Sequence, residues 1–219
     1  MDIIVVGASG QAKVILDIVE REGAHRIVGV VSHDAVIGDR FLGYPVLGRD
    51  SDLVSLVIEG KANGALMAIG DNWVRGRLVE SFRQAAPDLR FATAIHPTAV
   101  IGRDVIIGEG TVIMGGAVIN GPTRVGRHCA ILARSSVDHD SVLGDFSSLA
   151  PGVSQGGGVT LGDYAAIGIG ASVRHGIRVG AHTVVGAGAA VVTDLPDLVV
   201  AYGVPARVAR SREAGERYL

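Results

Sequence analysis

The stretch IHPTAVIGRDVIIGEGTVIMGGAVIN, residues 95–120, puts an aliphatic residue at every sixth position, starting with Ile95, Ile101, Ile107, Ile113 and Ile119. The beat runs on without a break through Val125, Ile131, Val137, Leu143 and Leu149 to Val191, and the chain reaches Pro196 in the same register. Of seventeen such positions only Gln155 is polar. The second position of each hexad is mostly Gly or Ala and the fifth mostly Ala, Val, Ser or Thr, so a hexad reads as one short extended segment and a tight turn. Three segments close one triangular coil of a parallel β-helix, with each first-position side chain stacked inward on its equivalent eighteen residues on. An α-helix would need apolar residues three and four apart, and hairpins would need sharper alternation. About five coils must stack before the aliphatic column makes a core. Gln155 marks a local irregularity, because a buried amide needs partners.

Outward from the hexads, 219 residues leave room for a second unit. The reading divides the chain into an N-terminal domain over 1–92 and a β-helix domain with its C-terminal cap over 93–219. Hydrophobic residues make up 48% and aromatics 4%, so the cores are aliphatic, and the 32 glycines belong to turns. A formal net charge of -2 gives no basic stripe for nucleic acid. The single cysteine, Cys129, excludes an internal disulfide and fits a reducing compartment. At hexad position five it points inward and is a poor nucleophile. No apolar run approaches the length of a membrane span and no signal peptide is read after Met1, so the expectation is a soluble, cytoplasmic protein.

The N-terminal unit opens with IIVVGASGQAKVILDIVEREG, residues 3–23. Ile3–Val6 reads as a buried parallel strand, Gly7–Gly10 as a tight turn, Ala12–Glu22 as a helix on Val14, Ile15, Ile18 and Val19, and Arg26–Val31 as a second strand. This Rossmann-like βαβ start sets backbone N–H groups at a helix N-terminus, where an anion is favoured. Gly7, Ser9, Gly10, Gln11 and Lys13 are the candidate acceptor-binding residues on this turn. Asp34 stands where a carboxylate could accept from a ribose or sugar hydroxyl. The turn lacks the third glycine of the dinucleotide fingerprint, so it reads as a binding turn for a phosphate-bearing substrate or as a structural turn, rather than an NAD or FAD site. Leu66–Ile69 reads as a strand, Trp73–Ala85 as a helix, and Gly38–Leu47 as a loop covering the crevice at the strand ends. Trp73 has two readings, packing and stacking on a base.

His139 lies in VDHDSV, residues 137–142, at hexad position three, between Asp138 and Asp140. Flanking carboxylates fix one tautomer and raise basicity, which suits a general base near neutral pH, although a solvated turn histidine has the same pattern. His175 shares that hexad position two coils on, about 10 Å away by strand spacing, too far to share a proton but able to touch a long ligand. His96, His128 and His182 have no partners at metal-ligand spacing, so no metal is expected.

The chain resembles the sugar O/N-acetyltransferases of the left-handed β-helix class, which include sialic acid O-acetyltransferases and enzymes that N-acetylate nucleotide-linked amino sugars. The resemblance rests on VVGASGQAK at the start, AIGDNWVR in the middle, the hexads, VDHD and the closing YGVPAR, and it covers essentially the whole chain. It implies a homotrimer with acetyl-CoA in the groove between adjacent β-helices and the acceptor on the N-terminal domain. His139 corresponds to the catalytic base and Asp140 to the acid that orients it. Gly157 and Ile169 fall where backbone groups meet the thioester end of acetyl-CoA, with His175 beside the same ligand. Gln11 stands where a histidine is common, and Ser148 where some members carry a second histidine near the acceptor amine. The expected activity is acetyl transfer from acetyl-CoA to the amine of a nucleotide-linked amino sugar. O-acetylation of sialic acid or another sugar hydroxyl, and a serine-type small-molecule acetyltransferase, are the alternatives. Outward-facing small residues such as Ala117, Ala165, Ala166, Ala187 and Ala189 are expected to favour packing about a threefold axis.

Overall fold

The computed structural model describes residues 1–34 and 36–218. The N-terminal unit is a six-stranded sheet ordered β3-β4-β2-β1-β5-β6, made of β1 Asp2–Val6, β2 Arg26–Val31, β3 Arg40–Phe41, β4 Tyr44–Gly48, β5 Gly64–Met67 and β6 Arg90–Phe91. All its neighbours pair in parallel except β3 and β4. Helix α1, Gly10–Glu22, turns Ala12, Ile15, Leu16, Ile18 and Val19 inward and ends on Gly23 in the left-handed conformation. Val14, expected in the core, is exposed. Helix α3, Asn72–Ala85, starts at Asp71, whose carboxylate accepts from the Val74 N–H at 2.9 Å. The six-residue helix α2, Leu53–Ile58, went unread in the sequence because only Leu53 of it is fully buried and its periodicity is short.

The stretch Gly38–Leu47 is not a covering loop. It forms the β3–β4 hairpin at the sheet edge, with β4 paired to β2. Leu42 and Gly43 both have positive φ, 47° and 86°, the two-residue turn that matches strand twist. Tyr44 Oη donates to Glu20 Oε1 at 2.8 Å and ties the hairpin to α1.

Among the described residues the hexads give seventeen two-residue strands, β7–β23, from Ala94–Ile95 to Ala190–Val191. They stack in parallel with an eighteen-residue offset, Val112 on Ala130 and Ser148, Val118 on Ser136, Arg124 on Val142. Face one holds β7, β10, β13, β16, β19 and β22, face two β8, β11, β14, β17, β20 and β23, and face three β9, β12, β15, β18 and β21. The cap is a hairpin, β24 Val199–Gly203 and β25 Ala206–Ser211, that continues face one. First-position side chains fill the interior as read, joined by fifth-position residues. Ala117, Ala165 and Ala189 are therefore core, not outer surface, and Ala166 is also buried; of the five alanines expected to face outward only Ala187 is exposed. The fifth position follows the turn back into the prism, so its small size serves packing inside.

Fourth-position residues turn most corners in the left-handed conformation, and beyond glycines these include His128, Asp140, Phe146, Tyr164 and His182, with φ between 53° and 60°. At the corner between faces three and one, the rings of His128, Phe146, Tyr164 and His182 stack at centroid distances of 5.2, 4.9 and 4.7 Å. Helix α3 lies on this column. Gly76 makes the approach possible, since a Cβ there would sit 2.5 Å from the Tyr164 ring. Trp73 packs on Tyr164 and His182, which is the packing role. Buried Arg75 bonds the His128 carbonyl at 2.8 Å, the Phe146 carbonyl at 2.9 Å and the Ile69 carbonyl at 2.8 Å, so one guanidinium joins the two units. Desolvation lowers its pKa. The His128 ring nitrogens are buried without partners among the described residues, and burial beside Arg75 pushes the imidazole down to about 3, so it is neutral. Helix α1 packs on the lower part of face one through Ala94, Val112 and Met114.

Candidate active site

His139 sits where β14, Ser136–Val137, turns into β15, Val142–Leu143, at the corner between faces two and three. Asp140 takes φ 58° and its Oδ2 lies 2.7 Å from His139 Nδ1. Asp138 Oδ1 accepts from the His139 N–H at 2.9 Å and from Asn120 Nδ2 at 3.1 Å. The Asp140 hydrogen bond, helped by the Asp138 charge, raises the imidazole above its ordinary value. The same backbone N–H and Asn120 hold Asp138 below the usual carboxylate range. Nε2 is left as the free, outward nitrogen of an oriented ring, the arrangement of a general base. With His139 and Asp140 side chains 59% and 63% exposed, the pair opens to solvent rather than into a cleft of this chain.

Gly157 lies one coil above His139. A Cβ at 157 would come within 2.7 Å of the His139 Cε1, so the imidazole occupies the space a side chain would take. The Gly156 and Gly158 N–H groups donate to the Val173 and His139 carbonyls. Among the described residues, the Gly157 N–H makes no such backbone bond. His139, Asp140, Gly157 and His175 line one shallow cavity of about 720 Å³. Ile169 does not join them.

A second cavity, about 540 Å³, is lined by Gly7, Ser9, Ser32, His33, Asp34, Asp50, Ile69, Val74 and Leu78. It lies at the carboxyl ends of β1, β2 and β5, the usual ligand crevice of such sheets. The sequence brought Gly7, Ser9 and Asp34 to it and missed Ser32, His33 and Asp50, for which the only signal is position just past β2 and β4. Exposed Val74 and half-buried Leu78 of α3 complete its apolar wall. Gly10 opens α1 beside it, and Lys13 is exposed on the same helix.

A third cavity, about 380 Å³, joins the two units over the upper part of face one. Its lining includes Gln11, Gly70, Ser148, Ile169, Ala187 and Tyr218. Ile169 therefore shares a wall with Gln11 and Ser148, and lies away from Gly157. Neither N-terminal cavity shares a residue with the His139 corner. Cys129 is buried in the prism, where desolvation pushes its thiol up to about 11, and it takes no nucleophilic role. Among the described residues no group of three His, Cys, Asp or Glu side chains is placed to hold a metal ion, and no helix is long and apolar enough to cross a membrane.

Residues 2–82 match the family described as the PglD N-terminal domain. The UDP-N-acetylbacillosamine N-acetyltransferase of Bacillus subtilis (strain 168) is 34% identical over 122 residues, 52% of this chain and 51% of that protein. The chain's match thus spans about half the length of this curated relative. Crystal structures extend the likeness. A histidine-to-asparagine variant of perosamine N-acetyltransferase from Caulobacter crescentus, in complex with CoA and GDP-perosamine, superposes with a TM-score of 0.90 at 36% identity, over 96% of this chain and 98% of that one. The acetyltransferase domain of PglB from Neisseria gonorrhoeae, in complex with acetyl coenzyme A, superposes at 0.86 and 30%, over 94% and 98%. The chain belongs to the family of nucleotide-amino-sugar N-acetyltransferases that join a PglD-type N-terminal domain to a left-handed β-helix of hexapeptide repeats.

Proposed function

We propose that this chain moves an acetyl group from acetyl-CoA to the amine of a nucleotide-linked amino sugar, as a cytoplasmic homotrimer, with the acceptor-binding unit over 1–92 and the β-helix unit over 93–219. The observation that carries the reading is the His139–Asp140 pair at 2.7 Å, set over an unsubstituted glycine corner on a different side of the prism from the acceptor-type crevice. The crevice takes the nucleotide, with the Gly7–Gly10 turn and the start of α1 facing the diphosphate and Asp34 a hydroxyl. The acceptor amine attacks the thioester carbonyl while His139, fixed by Asp140, takes the amine proton at Nε2. The departing thiolate recovers a proton as CoA leaves. The Gly157 N–H faces the oxygen on which charge develops, and His175 borders the arm of acetyl-CoA. Ile169 borders the acetyl donor from the other side of the groove, where a second copy meets this one. An amine is preferred over a hydroxyl because its neutral form is already nucleophilic and the base need only collect the proton late.

Thiol release from acetyl-CoA, read against UDP-, GDP- and dTDP-linked amino sugars beside free sialic acid and serine, tests the reading. Turnover of a nucleotide amino sugar that falls by about 10²–10⁴ in H139A is expected for loss of a general base. Turnover confined to serine or sialic acid, or an H139A protein as fast as the parent, contradicts it.

A further inference from the structure

Arg212–Tyr218 folds back from the cap hairpin onto the N-terminal unit. Buried Arg212 donates through Nη1 to the His182 carbonyl at 2.6 Å and through Nη2 to the Glu216 carbonyl. Its guanidinium lies 5.5 Å from the Tyr218 ring centroid. Gly215 rests on Trp73 so closely that a Cβ would be 2.5 Å from the indole Nε1. The segment is thereby held to the β-helix corner at Arg212 and against α3 at Gly215.

Its last described residue reaches the third cavity. Tyr218 Oη accepts from the Asn72 N–H at 3.2 Å, and the Asn72 side-chain amide donates to Ser148 Oγ at 3.0 Å, so one residue at the start of α3 sets both hydroxyls on the same wall. Gln11 and Gly70 complete the polar side, and the rest is aliphatic. This cavity neighbours the second one along the chain. The Gly7–Ser9 turn and Ile69 line the one, and Gln11 and Gly70, a step along the same two chain segments, line the other. A nucleoside diphosphate filling the crevice and crossing the turn would place the sugar carried on its second phosphate in the third cavity.

Resting on the acceptor reading above, we propose that Tyr218 is a specificity-determining residue that closes the sugar compartment, its hydroxyl and ring edge meeting the amino sugar itself rather than the nucleotide or acetyl-CoA. Its oxygen accepts from Asn72 and Ser148 stands beside it on the same wall, so the hydroxyl can turn its proton toward a sugar hydroxyl or ring oxygen. Burial raises the phenol above its ordinary value, so that proton is present at neutral pH. A ring walling the compartment also limits the size of the substituent the sugar can carry, and the aliphatic lining of Leu132 and Val184 favours a deoxy position there.

The test uses the full chain with Tyr218→Phe and Tyr218→Ala, the best acceptor of the panel above, the matching nucleoside diphosphate without sugar, and acetyl-CoA. Y218A is expected to raise KM for the acceptor by about tenfold, the scale of a lost hydrogen bond plus its ring contact, with KM for acetyl-CoA and Kd for the bare nucleoside diphosphate within about twofold. Y218F should fall between the two and keep the parent's unfolding temperature. A larger N- or C-substituted sugar nucleotide refused by the parent should become a substrate of Y218A. An active parent whose Y218A and Y218F forms keep its acceptor KM, or lose bare nucleotide and sugar nucleotide affinity equally, overturns the assignment of Tyr218 alone. A parent inactive on every nucleotide amino sugar overturns the acceptor reading and this inference with it.

Discussion

At the scale of the residue, His139 is defined by what surrounds its ring. Asp140 holds Nδ1 at 2.7 Å, and Asp138 adds a charge that Asn120 and the His139 N–H keep in place. Both carboxylates favour the imidazolium, so the folded pKa lies above the ordinary histidine value. The neutral ring is the active form, so activity falls as the pH drops through that raised pKa. D140N removes the largest raising influence, and its acid limb should therefore move to lower pH. Its plateau kcat should fall by about tenfold or more, from a weaker and unoriented base. An NMR titration of the ring proton that disappears in H139A reads the shift directly, and a limb left in place by D140N would contradict the account. The VDHD pattern made the pair legible, because neighbouring residues at a turn touch whatever the fold. Asn120 was not read, although its spacing of eighteen from Asp138 places it one coil below. Ser32, His33 and Asp50 were hidden for another reason: they meet only because two strands end side by side.

At the scale of the element, each coil repeats one design and Gln155 departs from it. The residue is 3% exposed and both amide atoms lack partners among the described residues, while Val137 and Val173 stack below and above. An unsatisfied buried amide costs more than the apolar residue it replaces. Q155L should stabilise the protein by about 1–3 kcal/mol, seen as a higher midpoint in thermal or urea unfolding. An unchanged or lower midpoint would show that the amide finds partners in solution. The hexads were legible because the first position must face inward in every coil. Ala117, Ala165 and Ala189 were misread as surface although Cys129, at the same fifth position, was read inward, since small residues suit a crowded interior as well as a close contact. The β3–β4 hairpin was misread as a loop, because β3 has only two residues and β4 carries Pro45, which argues against a strand.

At the scale of the whole molecule, the N-terminal unit covers face one and the corner of stacked rings, while His139 stands on the corner between faces two and three. The ring column went unread although its members stand eighteen residues apart, and so did Arg75 as the link between units, because its partners are backbone carbonyls that no side-chain pattern announces. In the proposed trimer, a crevice on one side and a base on another make a complete site where the corner of one copy meets the crevice of the next, in a heterologous, closed ring. Co-expression of H139A with G10D, with isolation of mixed oligomers through two different tags, tests this. A Cβ at Gly10 meets nothing within 4 Å and an acidic residue suits a helix start, so G10D should fold while its carboxylate repels the diphosphate. Each parent variant should be inactive on the nucleotide amino sugar, and the mixed trimers should recover about a third of wild-type turnover, one intact site per ring. Mixed oligomers as inactive as their parents would mean that crevice and base act within one chain, and would contradict the account.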